Sequence, residues 1–180
     1  MSLEFINSQR NQDFFDYWQK LPRNGVVPES KSFFPEDIPK LLSSFTIYEL
    51  VSADCIRFKL AGTKIANRDG GDRTGDNYLD EVAPARRKKA SEAFWTVYNQ
   101  PCGMRVILEF TKKSGMVVLV EGIGLPMINS TGEFPLLYYS NDELSRSKRK
   151  VAGTIDRLEL ITVKQRDFID IGAGIPDFKD

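Results

Sequence analysis

Glu121 is the residue best placed for acid–base chemistry, because it interrupts the apolar run at residues 117–125. On a strand it shares a face with Leu119 and Ile123. If that face belongs to the core, the carboxylate needs a partner or a raised pKa, and it becomes a candidate for ligand binding or proton transfer. If the face meets solvent or the N-terminal segment, Glu121 is structural, which is the interpretation that we favour.

Histidine is absent from the 180 residues, and its absence excludes several chemistries. Histidine-activated serine and cysteine nucleophiles, histidine-containing zinc sites, histidine-ligated haem and histidine phosphotransfer all need an imidazole. The two cysteines, Cys55 and Cys102, lack metal-ligand spacing and are too few for a disulfide framework. We expect both to be reduced thiols.

An acidic, glycine-rich segment at residues 65–81 invites a calcium interpretation. The third and fifth positions of a loop that begins at Asp69 are Gly71 and Arg73, so the segment does not follow the EF-hand rule. Glycines that permit tight turns and aspartates that cap helices explain its composition better. We therefore predict no metal site.

The charges balance, with 25 basic and 25 acidic residues. No net field attracts nucleic acid or an anionic membrane. Two basic runs, at residues 85–89 and 146–150, are expected to be solvated; the alternative for the first is an anion held at a helix start. No stretch approaches the roughly 20 apolar residues of a membrane span, and the first residues do not resemble a signal peptide. We expect a cytoplasmic protein that binds neither nucleic acid nor membrane.

The helices that would position these residues are few. Residues 8–21 form an amphipathic pattern with Phe14, Trp18 and Leu21 on one face and Phe15 beside it. A short helix is predicted to begin at Pro35. One or two helical turns are predicted at residues 64–68, and a longer helix is predicted at residues 84–99.

Alternation of apolar and polar residues predicts strands at residues 45–51, 55–61, 104–111, 116–128, 134–140 and 154–163. In the second strand Ile56, Phe58 and Leu60 are expected on one face. Residues 141–153 are predicted to be a polar connector, and the apolar end at 168–176 is expected to dock. Two strands, a helical middle and a meander, without βαβ alternation, indicate an antiparallel sheet in an α+β domain.

Several short motifs occur in a recognisable order. They are YWQKL at 17–21, PEDIPKLL at 35–42, RFKLAGTKI at 57–65, GDRTG at 71–75, LDE at 79–81 and EGIGLPM at 121–127. Together they cover roughly residues 14–140 and resemble a bacterial PAS subfamily of short, mostly stand-alone proteins. We divide the chain accordingly into an N-terminal helical segment (1–43), a PAS-like core (44–141) and a connector with a C-terminal strand and tail (142–180).

The resemblance implies a curved five-stranded antiparallel sheet with a helical crossover and a pocket between them, here with an N-terminal helix and an extra C-terminal strand. It implies a sensory or regulatory module rather than an enzyme, with a small ligand or a signalling protein as partner. No cofactor can be named. The expected ligand-binding residues are Phe58, Leu60, Thr63, Asn67, Tyr78, Phe94, Leu108, Phe110 and Glu121. Val106 and Leu136 are expected to face inward as well.

Two alternatives remain open. The first is a ligand-free protein-interaction module whose aromatic residues fill the core. The second, which we favour less, is an enzyme with Glu121 as general base, for which no motif supplies an oxyanion donor. The N-terminal helix, with Phe14, Phe15 and Trp18, is expected to pack either on the sheet or on its twin in a homodimer.

Overall fold

A computed structural model describes residues 5–147 and 156–180. This part of the chain contains three α-helices, α1 (Gln9–Lys20), α2 (Thr63–Asp69) and α3 (Arg87–Asn99). It also contains six strands: β1 (Phe45–Ser52), β2 (Cys55–Ala61), β3 (Gly103–Lys112), β4 (Val117–Met127), β5 (Leu136–Arg146) and β6 (Leu158–Ile169). Short 3-10 turns, such as Pro35–Asp37 and Pro84–Arg86, join several of these elements.

The strands form one antiparallel sheet in the order β2-β1-β5-β4-β3-β6. The predicted α+β class and antiparallel sheet are confirmed. The extra C-terminal strand pairs with β3 and extends the expected five strands to six.

The crossover segment at residues 75–83 contacts both edges of the sheet. At the β2 edge, the Phe58 N–H donates to the Asp76 carbonyl oxygen at 2.9 Å. At the β6 edge, the Ile161 N–H donates to the Glu81 carbonyl oxygen at 2.7 Å. Both edge strands are therefore partly covered, which reduces the unpaired backbone that an open sheet exposes.

Three predicted elements differ from the structure. Residues 141–146, predicted as connector, continue β5, because their backbone pairs with β4 whatever the polarity of their side chains. The last strand ends at Ile169 rather than at residue 163, and the helix predicted at Pro35 is only the 3-10 turn. Residues 148–155, which hold most of the second basic run and the start of the predicted last strand, lie outside the described residues.

The first basic run is not simply solvated. Arg87 donates to the carbonyl oxygens of Val82 at 3.0 Å and Asp80 at 2.8 Å, and Arg86 pairs with Asp180 at 2.6 Å. These contacts connect the start of α3 to the crossover segment and to the end of the chain.

The central strands β1, β3 and β4 and the first half of β5 are largely buried on both faces, so their side chains alternate between two cores. The inner core lies between the sheet, the crossover segment and α3, and it receives Val118 and Val120 from β4. The outer core lies between the sheet and α1, and it receives Ile123, Leu125 and Met127 from the same strand.

The N-terminal helix covers the outer face. The Ser8 side chain caps α1 by accepting from the Asn11 N–H. Phe14, Phe15 and Trp18 are almost completely buried, and the Trp18 indole N–H donates to the Pro126 carbonyl oxygen at 3.2 Å. Of the two expected placements, α1 therefore takes the one on its own sheet. Its apolar side chains are not at the surface for contact with a second copy.

Glu121 is fully buried in the outer face and holds the start of α1. Its Oε1 accepts from the Asn7 N–H at 3.0 Å and from Arg105 Nε at 2.8 Å. Its Oε2 accepts from the Ser8 N–H at 2.9 Å and from Asn11 Nδ2 at 3.1 Å. Burial alone raises the pKa of Glu121, but these four donors outweigh burial and hold the pKa below its ordinary value. The carboxylate is thus ionised and faces the N-terminal segment.

We expect Glu121→Gln to lower the free energy of unfolding by about 3 kcal/mol. The NH₂ group of the glutamine would face N–H donors that now bind a carboxylate oxygen. The change would also leave the buried Arg105 with Asp167 as its charged partner among the described residues. The matched control is Glu109→Gln, since the Glu109 side chain is 30% exposed and lies 3.7 Å from Lys164 Nζ. That change should cost no more than about 0.5 kcal/mol. Urea denaturation measures both, and equal losses would contradict the anchoring role of Glu121.

Candidate functional site

A β-bulge in β6 turns Arg166 toward the inner core. The register of β6 against β3 shifts between Ile107 and Leu108, and Lys164 is the residue left over. In a regular strand, residues 163, 165 and 167 would share a face. The extra residue places Arg166 instead on the inner face with Val163, where both line a cavity.

This inner cavity has a volume of about 20 Å³, enough for about one water molecule. Strands β1, β3, β5 and β6, helix α3 and the crossover segment line it. Its lining residues are Tyr48, Tyr78, Ala90, Phe94, Met104, Val106, Leu108, Tyr139, Asn141, Val163 and Arg166.

An aromatic cluster surrounds Phe94 at this cavity. The Phe94 ring lies 5.2 Å from that of Tyr48 at right angles, 5.6 Å from that of Tyr139 in a stacked arrangement, and 5.3 Å from that of Tyr78. Tyr139 has room because its strand neighbour is Gly124: a Cβ there would lie 2.1 Å from Tyr139 Cζ. The glycine therefore creates the space that the tyrosine ring occupies.

Two polar atoms of the lining residues, Tyr139 Oη and Arg166 Nε, have no hydrogen-bond partner within the described part of the chain. Tyr139 is 3% exposed, and so is the Arg166 side chain. An unsatisfied buried polar group costs about 1–3 kcal/mol, so a molecule that paired with both atoms would be stabilised here. The other unpartnered atoms of this kind belong to α1 and to Ser140 of β5.

The tyrosine hydroxyls at the cavity are neutral at physiological pH. Burial raises the pKa of Tyr78 to about 12 and that of Tyr139 well above its ordinary value, although the Arg166 charge acts in the opposite direction on both. Arg166 is the one charged side chain of the lining. The cavity therefore offers a buried cation beside neutral hydroxyl groups.

Three of the nine residues expected to bind a ligand line the inner cavity: Tyr78, Phe94 and Leu108. Phe58 and Phe110 belong to the same inner core but do not line the cavity. Val106, expected to face inward, lines the cavity too.

The expectation that Leu60 faces inward is wrong, since the residue is 43% exposed. A second β-bulge explains the error: the register with β1 shifts at Lys59, so the alternation that begins with Phe58 reverses. Ala61 packs against the inner core in the place of Leu60.

Thr63 and Asn67 are exposed on α2, and Asn67 lines a separate surface groove rather than the cavity. Glu121 and Leu136 are buried, but on the outer face under α1. The alternation of β4 and β5 puts them there, opposite to the side expected for a ligand-binding residue.

Sequence reasoning missed Tyr48, Tyr139, Asn141 and Arg166. Strict alternation along β5 from Leu137 would have found Tyr139 and Asn141. No such signal existed for Arg166, because the bulge that turns it inward depends on the pairing with β3.

We expect Gly124→Ala to destabilise the protein by about 1–3 kcal/mol, since the added methyl group must displace the Tyr139 ring. Gly71→Ala is the matched control, because a Cβ at that position meets nothing within 4 Å. Thermal denaturation compares the stability of the two variants with that of the unmodified protein. A combined Gly124→Ala, Tyr139→Leu variant should lose less than the sum of the single changes, and strict additivity would contradict the proposed contact.

The described residues contain no cluster of three or more histidine, cysteine, aspartate or glutamate side chains that is arranged to hold a metal ion. None of the helices in residues 5–147 and 156–180 is long and apolar enough to cross a bilayer.

The family of the chain follows from a comparison with known proteins. A family model described as a PAS domain matches residues 6–138, well over half of the sequence. No curated protein matches it. The match runs from the start of α1 into β5 and ends before Tyr139, β6 and Arg166. The chain therefore belongs to the PAS domain family.

Proposed function

We propose that this protein is a sensory or regulatory module that binds a small molecule in its inner cavity. PAS domains are generally sensory rather than enzymatic, and they commonly bind ligands or partner proteins. The observation that carries the proposal is that Tyr139 Oη and Arg166 Nε, both buried at one cavity, lack hydrogen-bond partners among the described residues. An apolar pocket with a few convergent polar groups is the usual form of a small-molecule site.

A ligand larger than water requires the lining to move. The cavity of about 20 Å³ lies beside Met104, whose unbranched side chain adapts readily to a new shape. It also lies beside β6, which pairs with the rest of the sheet along one side only. Ligand binding should therefore change the contacts of β6, and through them the surface that a signalling partner meets.

The small cavity volume also favours a second candidate function. The four aromatic rings of Tyr48, Tyr78, Phe94 and Tyr139 pack together at the cavity, as expected for a module that binds no small molecule and acts only through a protein partner. An enzyme with Glu121 as base gains no support, because that carboxylate lies on the outer face with four donors around it.

Intact-mass spectra under native and denaturing conditions test ligand binding. We expect freshly purified protein, or protein incubated with a mixture of small organic acids, amides and amines, to carry added mass that disappears on denaturation. Ala90→Val should remove the added mass, because Ala90 lines the cavity and two methyl groups would fill it.

Ala93→Val is the matched control on the same helix, since Ala93 is buried in the inner core but does not line the cavity. Both substitutions should cost about 1–3 kcal/mol of stability through overpacking, and only the first should abolish binding. Absence of added mass under every condition would favour the protein-interaction candidate. If both variants retained the added mass equally, the ligand would bind outside the inner cavity.

A further inference from the structure

We propose that the inner cavity binds a small organic monocarboxylate through Arg166, and that the C-terminal tail (residues 170–180) competes for the same arginine. This inference rests on the proposed function and adds to it the chemical class of the ligand and a means of regulation.

The unpartnered atoms specify the ligand's polar group. Arg166 Nε is a charged donor and Tyr139 Oη a neutral one. A carboxylate accepts from both, and hydrogen bonds from a guanidinium to a carboxylate are among the strongest in proteins. An amine would place a cation beside the Arg166 charge, and an amide would bring only a neutral acceptor. The remaining lining is aromatic or aliphatic apart from Asn141, so the rest of the ligand should be apolar.

The charges near the cavity favour one negative charge. Asp180 Oδ1 accepts from Arg86 Nη2 at 2.6 Å and from Arg166 Nη1. Two arginines thus share one aspartate, which leaves a single positive charge in excess. A monocarboxylate would neutralise this excess, whereas a doubly charged phosphate would exceed it.

The tail lies at the Arg166 end of the cavity. The Phe178 ring packs on Phe168 of β6 at 5.2 Å, and Lys89 Nζ of α3 lies 4.6 Å from its centre. Arg166 Cζ lies 5.3 Å from the same centre. The tail therefore connects β6 to α3 beside the buried arginine.

The contacts of the tail are weak enough to be exchanged. The Asp180 side chain is 37% exposed, and ion pairs of that exposure contribute little to stability. A ligand carboxylate at Arg166 Nε and the Asp180 carboxylate at Nη1 would interact with the positive charge of the same guanidinium group. Binding of the ligand and docking of the tail should therefore weaken each other, by the same factor in both directions.

The two unpartnered polar groups of this site lie beyond the residues that the family match covers. Tyr139, Arg166 and the tail all follow residue 138, where the PAS match ends. Arg166 of the extra strand β6 would thus supply the charged group for anion recognition.

Titration of the full-length chain with acid–amide pairs tests the proposal. Propionate with propionamide, and benzoate with benzamide, have nearly the same shape and differ in charge. We expect each acid to bind at least tenfold more tightly than its amide, as followed by the backbone amide signals of residues 90, 139 and 163 in NMR spectra. Arg166→Gln should reduce acid binding at least tenfold. Lys164→Gln makes the same change in net charge at the exposed bulge residue and should leave it unchanged.

Asp180→Asn tests the role of the tail. Removal of the competing carboxylate should raise the affinity for benzoate about threefold or more and leave the affinity for benzamide unchanged. An unchanged benzoate affinity would overturn the competition. If Arg166→Gln does not fold, Asp180→Asn and the acid–amide pairs still decide the question.

Failure of this inference is distinguishable from failure of the proposed function. Amides that bind as tightly as acids, or acid binding that survives Arg166→Gln, would overturn the carboxylate class while a ligand-binding cavity remained. If neither acids nor amides perturbed the cavity signals and the purified protein carried no added mass, both proposals would be overturned.

Discussion

Much of the sheet of this protein is covered on both faces, and each side chain buried there must be apolar or must find a hydrogen-bond partner inside the protein. The outer face meets this condition at Glu121, whose carboxylate is surrounded by four donors and holds α1 in place. The inner face does not meet it at Tyr139 and Arg166. The same requirement thus explains a rigid anchor on one side and points to a binding site on the other.

Two β-bulges determine which side chains reach the inner cavity. The bulge at Lys59 turns Leu60 to the surface, and the bulge at Lys164 turns Arg166 inward. Both lie on the edge strands, which are also the strands that the crossover segment contacts. Bulges often lie next to functional sites because they re-aim a side chain without loss of the strand. Here one such change brings a charge into an apolar core.

The fold was largely predictable and the site only in part, for physical reasons. Alternation with period two is a local property, and it located β1 to β4, while the apolar face of α1 predicted a buried helix. Phe94 follows the helical spacing of α3 and Tyr78 lies in a 3-10 turn, so of these three cavity residues only Leu108 came from the alternation. It failed for Leu60 and Arg166, because a bulge depends on the register with a neighbouring strand. It failed for residues 141–146 as well, because backbone pairing with β4 continues under polar side chains.

The central claim is that the inner cavity holds a bound molecule that pairs with Tyr139 Oη and Arg166 Nε. A high-resolution crystal structure of the freshly purified protein tests it most directly. We expect electron density larger than a water molecule within hydrogen-bond distance of both atoms, with the aromatic cluster displaced around it. A cavity in which Tyr139 and Arg166 pair with other protein groups, without density between them, would contradict the claim.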